Sequence, residues 1–167
     1  MRRLLTTAAL AFALALAVTA QEIYTSDEFG FQVELPNQTW RALPRDGGAH
    51  RHAEFVYGDR SDGLLRVRKE LVEETDKLDE LADRDRDNKL RFLSGLVAGR
   101  REEFPGRLNG ISVPYEYTQA GKPWVARIYY LRADPRTVYV LHFTGRRETL
   151  LRLRSQTDFI ARSFRVK

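Results

Sequence analysis

None of the 167 residues is cysteine. Disulfides, thiolate metal ligands and thiol nucleophiles are therefore excluded, and stability has to come from a packed core. Beyond Val18 the chain also lacks any apolar run near the roughly 20 residues that a membrane-spanning helix needs. No Gly-x-Ser-x-Gly elbow is present, so the common serine-hydrolase signature is missing. Lysine is scarce: Lys69, Lys77, Lys89, Lys122 and Lys167 are the only lysines among 28 basic residues. Codon usage in a GC-rich genome explains that arginine bias more simply than a phosphate-binding surface does.

What is present begins with an export leader. Arg2 and Arg3 form a positive start, Leu4 to Val18 is apolar apart from Thr6 and Thr7, and Val18-Thr19-Ala20 fits the small-residue cleavage rule. Residues 1–20 are thus expected to be a cleavable signal peptide, with residues 21–167 a single periplasmic or secreted domain that keeps no transmembrane anchor. No Cys follows the apolar run, which excludes a lipid-anchored lipoprotein. Loss of Arg2 and Arg3 lowers the formal charge from +5 to +3, and acidic and basic residues are interleaved along the remainder. Such a surface does not call for nucleic acid.

The domain reads as strands, helix, strands, helix. Ile23-Tyr24-Thr25 and Phe29 to Leu35 form a hairpin around Ser26-Asp27-Glu28, and Phe31, Val33 and Leu35 alternate with polar residues. His52–Tyr57 and Leu64–Val72 are further strands. In the second of these, Leu65 and Val67 face one way while Leu64, Arg66 and Arg68 face the other. Leu78, Leu81, Ala82, Leu90, Leu93, Leu96 and Val97 predict a long helical segment over 76–104, continuous or broken at Asp83–Lys89, and Pro105-Gly106 ends it. Leu108–Gln119, Trp124–Leu131 and Thr137–Thr144 form a β-meander. A last helix over about 148–162 places Leu150, Leu153, Thr157, Ile160, Ala161 and Phe164 on one stripe. Two amphipathic helices need a sheet to cover. The fold class expected is therefore α+β: an αβα sandwich with a central antiparallel sheet, an N-terminal β-hairpin, one long middle helix and a C-terminal helix. Phe31, Val33, Trp40, Trp124 and Phe164 are its expected apolar framework.

Tyr24, Ser26, Gly30, Phe31, Val33, Leu35, Pro36 and Trp40 at the start, with Ser163-Phe164 closing the last helix, resemble the PsbP/Mog superfamily, including exported bacterial DcrB-like proteins. The resemblance implies an αβα sandwich and a role in binding or assembly rather than catalysis. It supplies no catalytic residues.

Candidate sites are few. His50 and His52 lie on alternate residues and could share a metal, with Asp46 and Glu54 as possible further ligands, but two imidazoles do not complete a zinc site. Asp83, Asp85 and Asp87 have calcium-loop spacing, yet Asn88 stands where Gly is required and Ser94 where Glu is required. The simpler reading of that run is a solvated helix face with internal ion pairs. His142, in the apolar stretch Leu141-His142-Phe143, reads as a satisfied structural histidine. Glu73-Glu74 and Glu102-Glu103 are adjacent carboxylates in helical or near-helical runs, and neighbours on a helix do not face each other. Arg100, Arg101, Arg146 and Arg147, with Arg152 and Arg154, could join into a basic patch for an acidic protein surface or anionic headgroups. Against that stands ordinary decoration of helix ends.

The expectation is an exported, non-catalytic binding or assembly factor of the cell envelope, with no cofactor and with another envelope protein or an anionic surface as partner. The alternative is a small-molecule-binding protein or hydrolase with a pocket between sheet and helix. A pocket lined with titratable groups would favour the alternative, and a flat Arg-rich or apolar face the first reading.

Overall fold

The computed structural model describes residues 21–44 and 52–167. The expected signal peptide and its cleavage site lie outside the described residues, as do Asp46 and His50.

Eleven strands and three helices are described. β1 (Glu22–Ser26) and β2 (Phe31–Leu35) form the hairpin; β3 (Trp40–Ala42), β4 (Ala53–Tyr57) and β5 (Gly63–Leu71) follow. α1 (Leu78–Asp85) runs directly into a π-helical turn, Arg86–Leu90. Then come β6 (Ser94–Ala98), β7 (Glu102–Phe104), β8 (Gly110–Gln119), β9 (Lys122–Asp134) and β10 (Thr137–Arg146). α2 (Arg147–Arg152), α3 (Arg154–Ser163) and β11 (Arg165–Val166) end the chain.

The central sheet is antiparallel, in the order β3-β4-β5-β10-β9-β8-β6, with β7 also pairing β8. Its long strands are β-branched and aromatic, and their period of two divides the side chains between two cores. Tyr139, Leu141 and Phe143 of β10, with Leu65 and Val67 of β5, pack against the hairpin residues Phe31, Val33 and Leu35. Leu150, Leu153, Ile160, Ala161 and Phe164 from α2, α3 and the residue after α3 complete that core. On the opposite face Val138 and Val140 of β10, Ile128 and Tyr130 of β9 and Val113 and Tyr115 of β8 pack beneath Leu81, Ala82 and Leu90. The result is an α+β sandwich in which the hairpin, joined by β11 into a three-stranded sheet, shares one outer layer with α2 and α3.

Four of the five framework residues share the first core. Phe31, Val33, Trp40 and Phe164 are fully buried there. Phe164 stacks on Phe31 with ring centroids 5.0 Å apart, and the Trp40 indole N–H donates to Gln156 of α3 at 2.9 Å. Trp124 is different: it is half-buried and belongs to the α1 side.

The middle segment departs from the expected long helix. Helical structure ends at Leu90, and residues 94–98 and 102–104 are edge strands on β8. Gly95 has φ +64°, which a helix cannot accept. Pro114 in β8 accounts for the break between β6 and β7. Its carbonyl accepts from Gly99 N at 2.8 Å, so its missing N–H lies on the same side, where no ladder can continue. Glu102 and Glu103 are therefore strand neighbours pointing to opposite faces, not residues of a helix.

Candidate functional site

The α1 layer is smaller than the sheet it covers. α1 and the π turn lie over Val138, Val140, Ile128 and Tyr130, while among the described residues no helix covers the half of the sheet nearer Leu64, Thr144 and Trp124. Between the two lies an open groove with two connected chambers that share Arg66, Lys89, Leu90 and His142. The inner chamber, about 320 Å³, adds His52, Arg68, Asp85 and Ile128. The outer one, about 570 Å³, is lined also by Leu64, Leu93, Tyr117 and Trp124, with Arg60 at its rim.

Strand register assembles the floor. Arg66 of β5 pairs with Glu54 of β4 on one side and His142 of β10 on the other, and His142 pairs in turn with Ile128 of β9. All project to the α1 face because they occupy the same phase of the pleat. Glu54 accepts from Arg66 Nε at 2.9 Å, pairs with Arg60 at 2.8 Å and lies 3.1 Å from His52 Nε2. Burial opposes its ionisation, but hydrogen bonds from Arg66, Arg60 and His52 outweigh it and lower the carboxyl to about 2.

Asp85, at the end of α1, is almost fully buried. Its carboxylate pairs with Arg68 of β5 and with Lys89 of the π turn at 2.8 Å, and accepts from the Tyr130 hydroxyl at 3.1 Å. Burial alone would raise its pKa; the Arg68 charge and the Lys89 hydrogen bond lower it instead. This cluster pins the helix to the sheet and forms the closed end of the groove.

His142 is the exception in this network. Its Nε2 is shielded from solvent and has no hydrogen-bond partner among the described residues, so at that atom the satisfied structural histidine expected from the sequence is not what the fold makes. The side chains around it explain why. The donors of Arg66, Arg68 and Lys89 are directed at Glu54, Glu70 and Asp85 instead, Ile128 is apolar, and the Asp85 carboxylate is already taken by Arg68, Lys89 and Tyr130. Burial first, then the charges of Arg68 and Arg66, lower the imidazole to about 3. It is neutral at ordinary pH.

The other expected sites are distributed as follows. His52 is hydrogen-bonded to Glu54, and no group of three potential metal-ligating His, Asp or Glu side chains occurs among the described residues. Asp83 and Asp87 pair with Arg86, and Asp83 also with Arg101 at 2.7 Å. Asp85, by contrast, turns inward and is no part of a solvated face. Of the arginines, Arg101 bridges Asp79 and Asp83 on the α1 side, whereas Arg147 pairs with Glu116 and Arg154 with Glu102 on strands at the opposite side of the sandwich. Arg100 and Arg146 are exposed. The fold thus does not bring Arg101 and Arg147 to one face.

Among the described residues no hydroxyl or carboxylate hydrogen-bonds His142, so no nucleophile–base–orienter chain is assembled in the groove. The arrangement can hold a ligand with a polar end and an apolar end. Sequence reading missed Arg66, Arg68, Lys89, Tyr117 and Trp124 as a site. The available signal was polar residues at alternate positions of β5, on the face that the amphipathic helix has to cover.

An antiparallel sheet with a helical layer on each face and a groove under one of them defines a class of α+β sandwich. No family model and no curated protein sequence matches the chain. Among solved structures it is similar to LpqN, involved in cell envelope biogenesis of Mycobacterium tuberculosis. The TM-score is 0.62 at 12% identity, over 89% of this chain and 91% of that one. It is also similar to cyanobacterial PsbP from Synechocystis, with a TM-score of 0.57 at 14% identity, over 95% and 99% of the two chains. The chain has the PsbP-like fold.

Proposed function

We propose that the protein is an exported, non-catalytic binding factor of the cell envelope that takes a small ligand in the groove between the sheet and α1. The observation that carries this reading is the groove itself: a two-chambered cavity with charged groups at its closed end and Trp124, Tyr117, Leu90 and Leu93 at its open end. A pocket lined with titratable groups favours ligand binding over docking through a flat arginine face. The leader pattern of residues 1–20 supports export. The likeness to LpqN, a protein involved in cell envelope biogenesis, is consistent with an envelope setting. No described helix is long and apolar enough to cross a membrane.

The test compares the purified protein with Trp124→Arg, which fills the outer chamber. Each is incubated with an organic extract of the parent cell envelope, and the bound small molecules are identified by mass spectrometry. The wild type should retain one compound class that Trp124→Arg loses, with both proteins melting cooperatively. Equal retention by the two would remove the groove as the binding site.

A further inference from the structure

We infer that the β6 edge of the central sheet is a self-association surface. A second copy of this chain adds its own β6 antiparallel to the first, and the two sheets become one across a two-fold axis at Val97. This surface is separate from the groove, and neither reading depends on the other.

The backbone sets the geometry. β6 pairs β8 on one side, and among the described residues no strand pairs it on the other. Gly99 N donates to Pro114 O at 2.8 Å, and Val97 shares the phase of Gly99, so both turn their polar groups toward β8. The N–H and C=O of Leu96 and Ala98 therefore point away from the sheet. A two-fold axis at Val97 sets Leu96 of each copy opposite Ala98 of the other. These are pairs of the hydrogen-bonded kind, so the outward groups satisfy one another, while Val97 meets its own copy at a non-hydrogen-bonded position. Gly95 and Gly99 come opposite each other, and no side chain obstructs the approach. The pairing is short, because β6 is irregular between Ser94 and Val97. The dimer is accordingly a weak one.

The side chains choose this edge and this occupant. Sheets guard their edges with charge, proline or shortness. β3 is three residues long and carries Arg41, β1 carries Glu22, and β11 is two residues long. β6, Ser-Gly-Leu-Val-Ala, has neither charge nor proline, so nothing in it repels its own copy. Val97 is 62% exposed, and Phe92 just ahead of the strand is 75% exposed. Charges at the two ends complete the match. Arg91 and Glu103 lie equally far from Val97 in sequence, and neither has an ion-pair partner among the described residues. The two-fold axis brings Arg91 of each copy toward Glu103 of the other, and sets the exposed Arg100 opposite Ser94 rather than against a cation. A foreign strand would have to carry these matching charges; a second copy has them by symmetry.

Sedimentation velocity of the purified protein should show a reversible dimer with a Kd of about 10–100 µM. Val97→Lys places like charges directly opposite each other and should weaken the dimer about tenfold or more, with the melting temperature unchanged. Arg91→Glu and Glu103→Arg should each weaken it, and the two combined should restore it. Cross-linking reads the register. The chain has no cysteine, so each cysteine variant carries a single thiol. Across a non-hydrogen-bonded pair the Cα atoms lie about 4.5 Å apart, within disulfide reach. In the same register the Ala98 Cα atoms of the two copies lie roughly 8 Å apart, beyond that reach. Mild oxidation should therefore link Val97→Cys into a covalent dimer and leave both Ala98→Cys and Leu71→Cys, an exposed position on β5, monomeric. A protein that stays monomeric up to about 1 mM would overturn the second copy as occupant and leave the edge to a strand of another protein. A dimer that Val97→Lys does not weaken would place the interface elsewhere. A dimer that Val97→Lys weakens but in which Val97→Cys links no faster than Leu71→Cys would overturn the antiparallel register.

Discussion

His142 couples the stability of the fold to pH. Its pKa in the folded protein is about 3, against 6.5 for the ordinary imidazole. Between those values the unfolded chain binds the proton and the folded one does not, so stability falls as pH drops through that window. Glu54, lowered to about 2, and Asp85, also lowered, contribute stability that is present above the ordinary carboxylate range and is lost as pH falls below it. The two effects separate. His142→Gln should flatten the change in urea midpoint from about pH 6.5 to pH 4.5, while Glu54→Gln should alter the profile only below about pH 4.5. A wild-type midpoint that is constant from pH 7 to the carboxylate range would contradict the neutral imidazole.

Asp85 and Asp83 are two residues apart and should respond very differently to removal. Asp85→Ala leaves Arg68 facing Tyr130 with only Glu70 as counter-charge, and breaking a buried pair in this way costs about 3 kcal/mol. Asp83 is half-buried with its carboxylate reaching solvent, and Asp83→Ala should cost about 0–1 kcal/mol. Chemical denaturation of the two variants measures the contrast. The sequence shows these residues as one alternating Asp-Arg run. It does not show which carboxylate turns inward, because that depends on Arg68 and Tyr130 in distant strands. His142 was unreadable for the same reason: its type and strand are visible in sequence, its missing partner is not. Phe31, Val33 and Phe164 were readable because local periodicity alone selects their face.

Among the elements, the last helix is carried by its apolar stripe. Leu150, Leu153, Thr157, Ile160 and Ala161 are buried as the spacing predicts, although Leu153 divides the helix into α2 and α3. Phe164→Ala removes a ring packed on Phe31 and Tyr139 and should cost about 3–5 kcal/mol. Arg152→Ala, on the exposed side, should change the denaturation midpoint little. Equal effects of the two would mean that the helix does not pack on the hairpin. The segment after Leu90 was misread because Leu93, Leu96 and Val97 satisfy helical spacing by chance. Gly95, Gly99 and the distant Pro114 decide its conformation, and only pairing with β8 reveals that choice.

At the scale of the molecule the two faces of the sheet are unequally held. The hairpin, α2, α3 and the residue after α3 bury Phe31, Val33, Leu35, Leu150, Leu153, Ile160, Ala161 and Phe164 against one face; α1 and the π turn contribute Leu81, Ala82 and Leu90 to the other. Local opening should therefore begin at the α1 layer. Hydrogen exchange followed by mass spectrometry is expected to show amides of α1 exchanging well before those of β9 and β10. Uniform protection would contradict the imbalance. The antiparallel meander and helix-covered sheet were legible in sequence from period alone. The groove was not, since it arises from a mismatch in width between layers that no single element encodes.

The pairing of β11 with β2 sets an order of events. Arg165 lies opposite Gln32 and Lys167 N donates to Gly30 O at 3.0 Å, so the hairpin acquires its third strand only from residues more than 130 positions later. The Phe31–Phe164 stack has the same separation. A chain emerging N-terminus first from any narrow conduit, a ribosomal tunnel or a translocation pore, exposes β1 and β2 long before the residues that cover them exist outside it. Contacts of such span are slow to form. During that interval the hairpin is an unpaired edge, available to chaperones and to aggregation alike, and commitment to the folded state waits for the end of the chain.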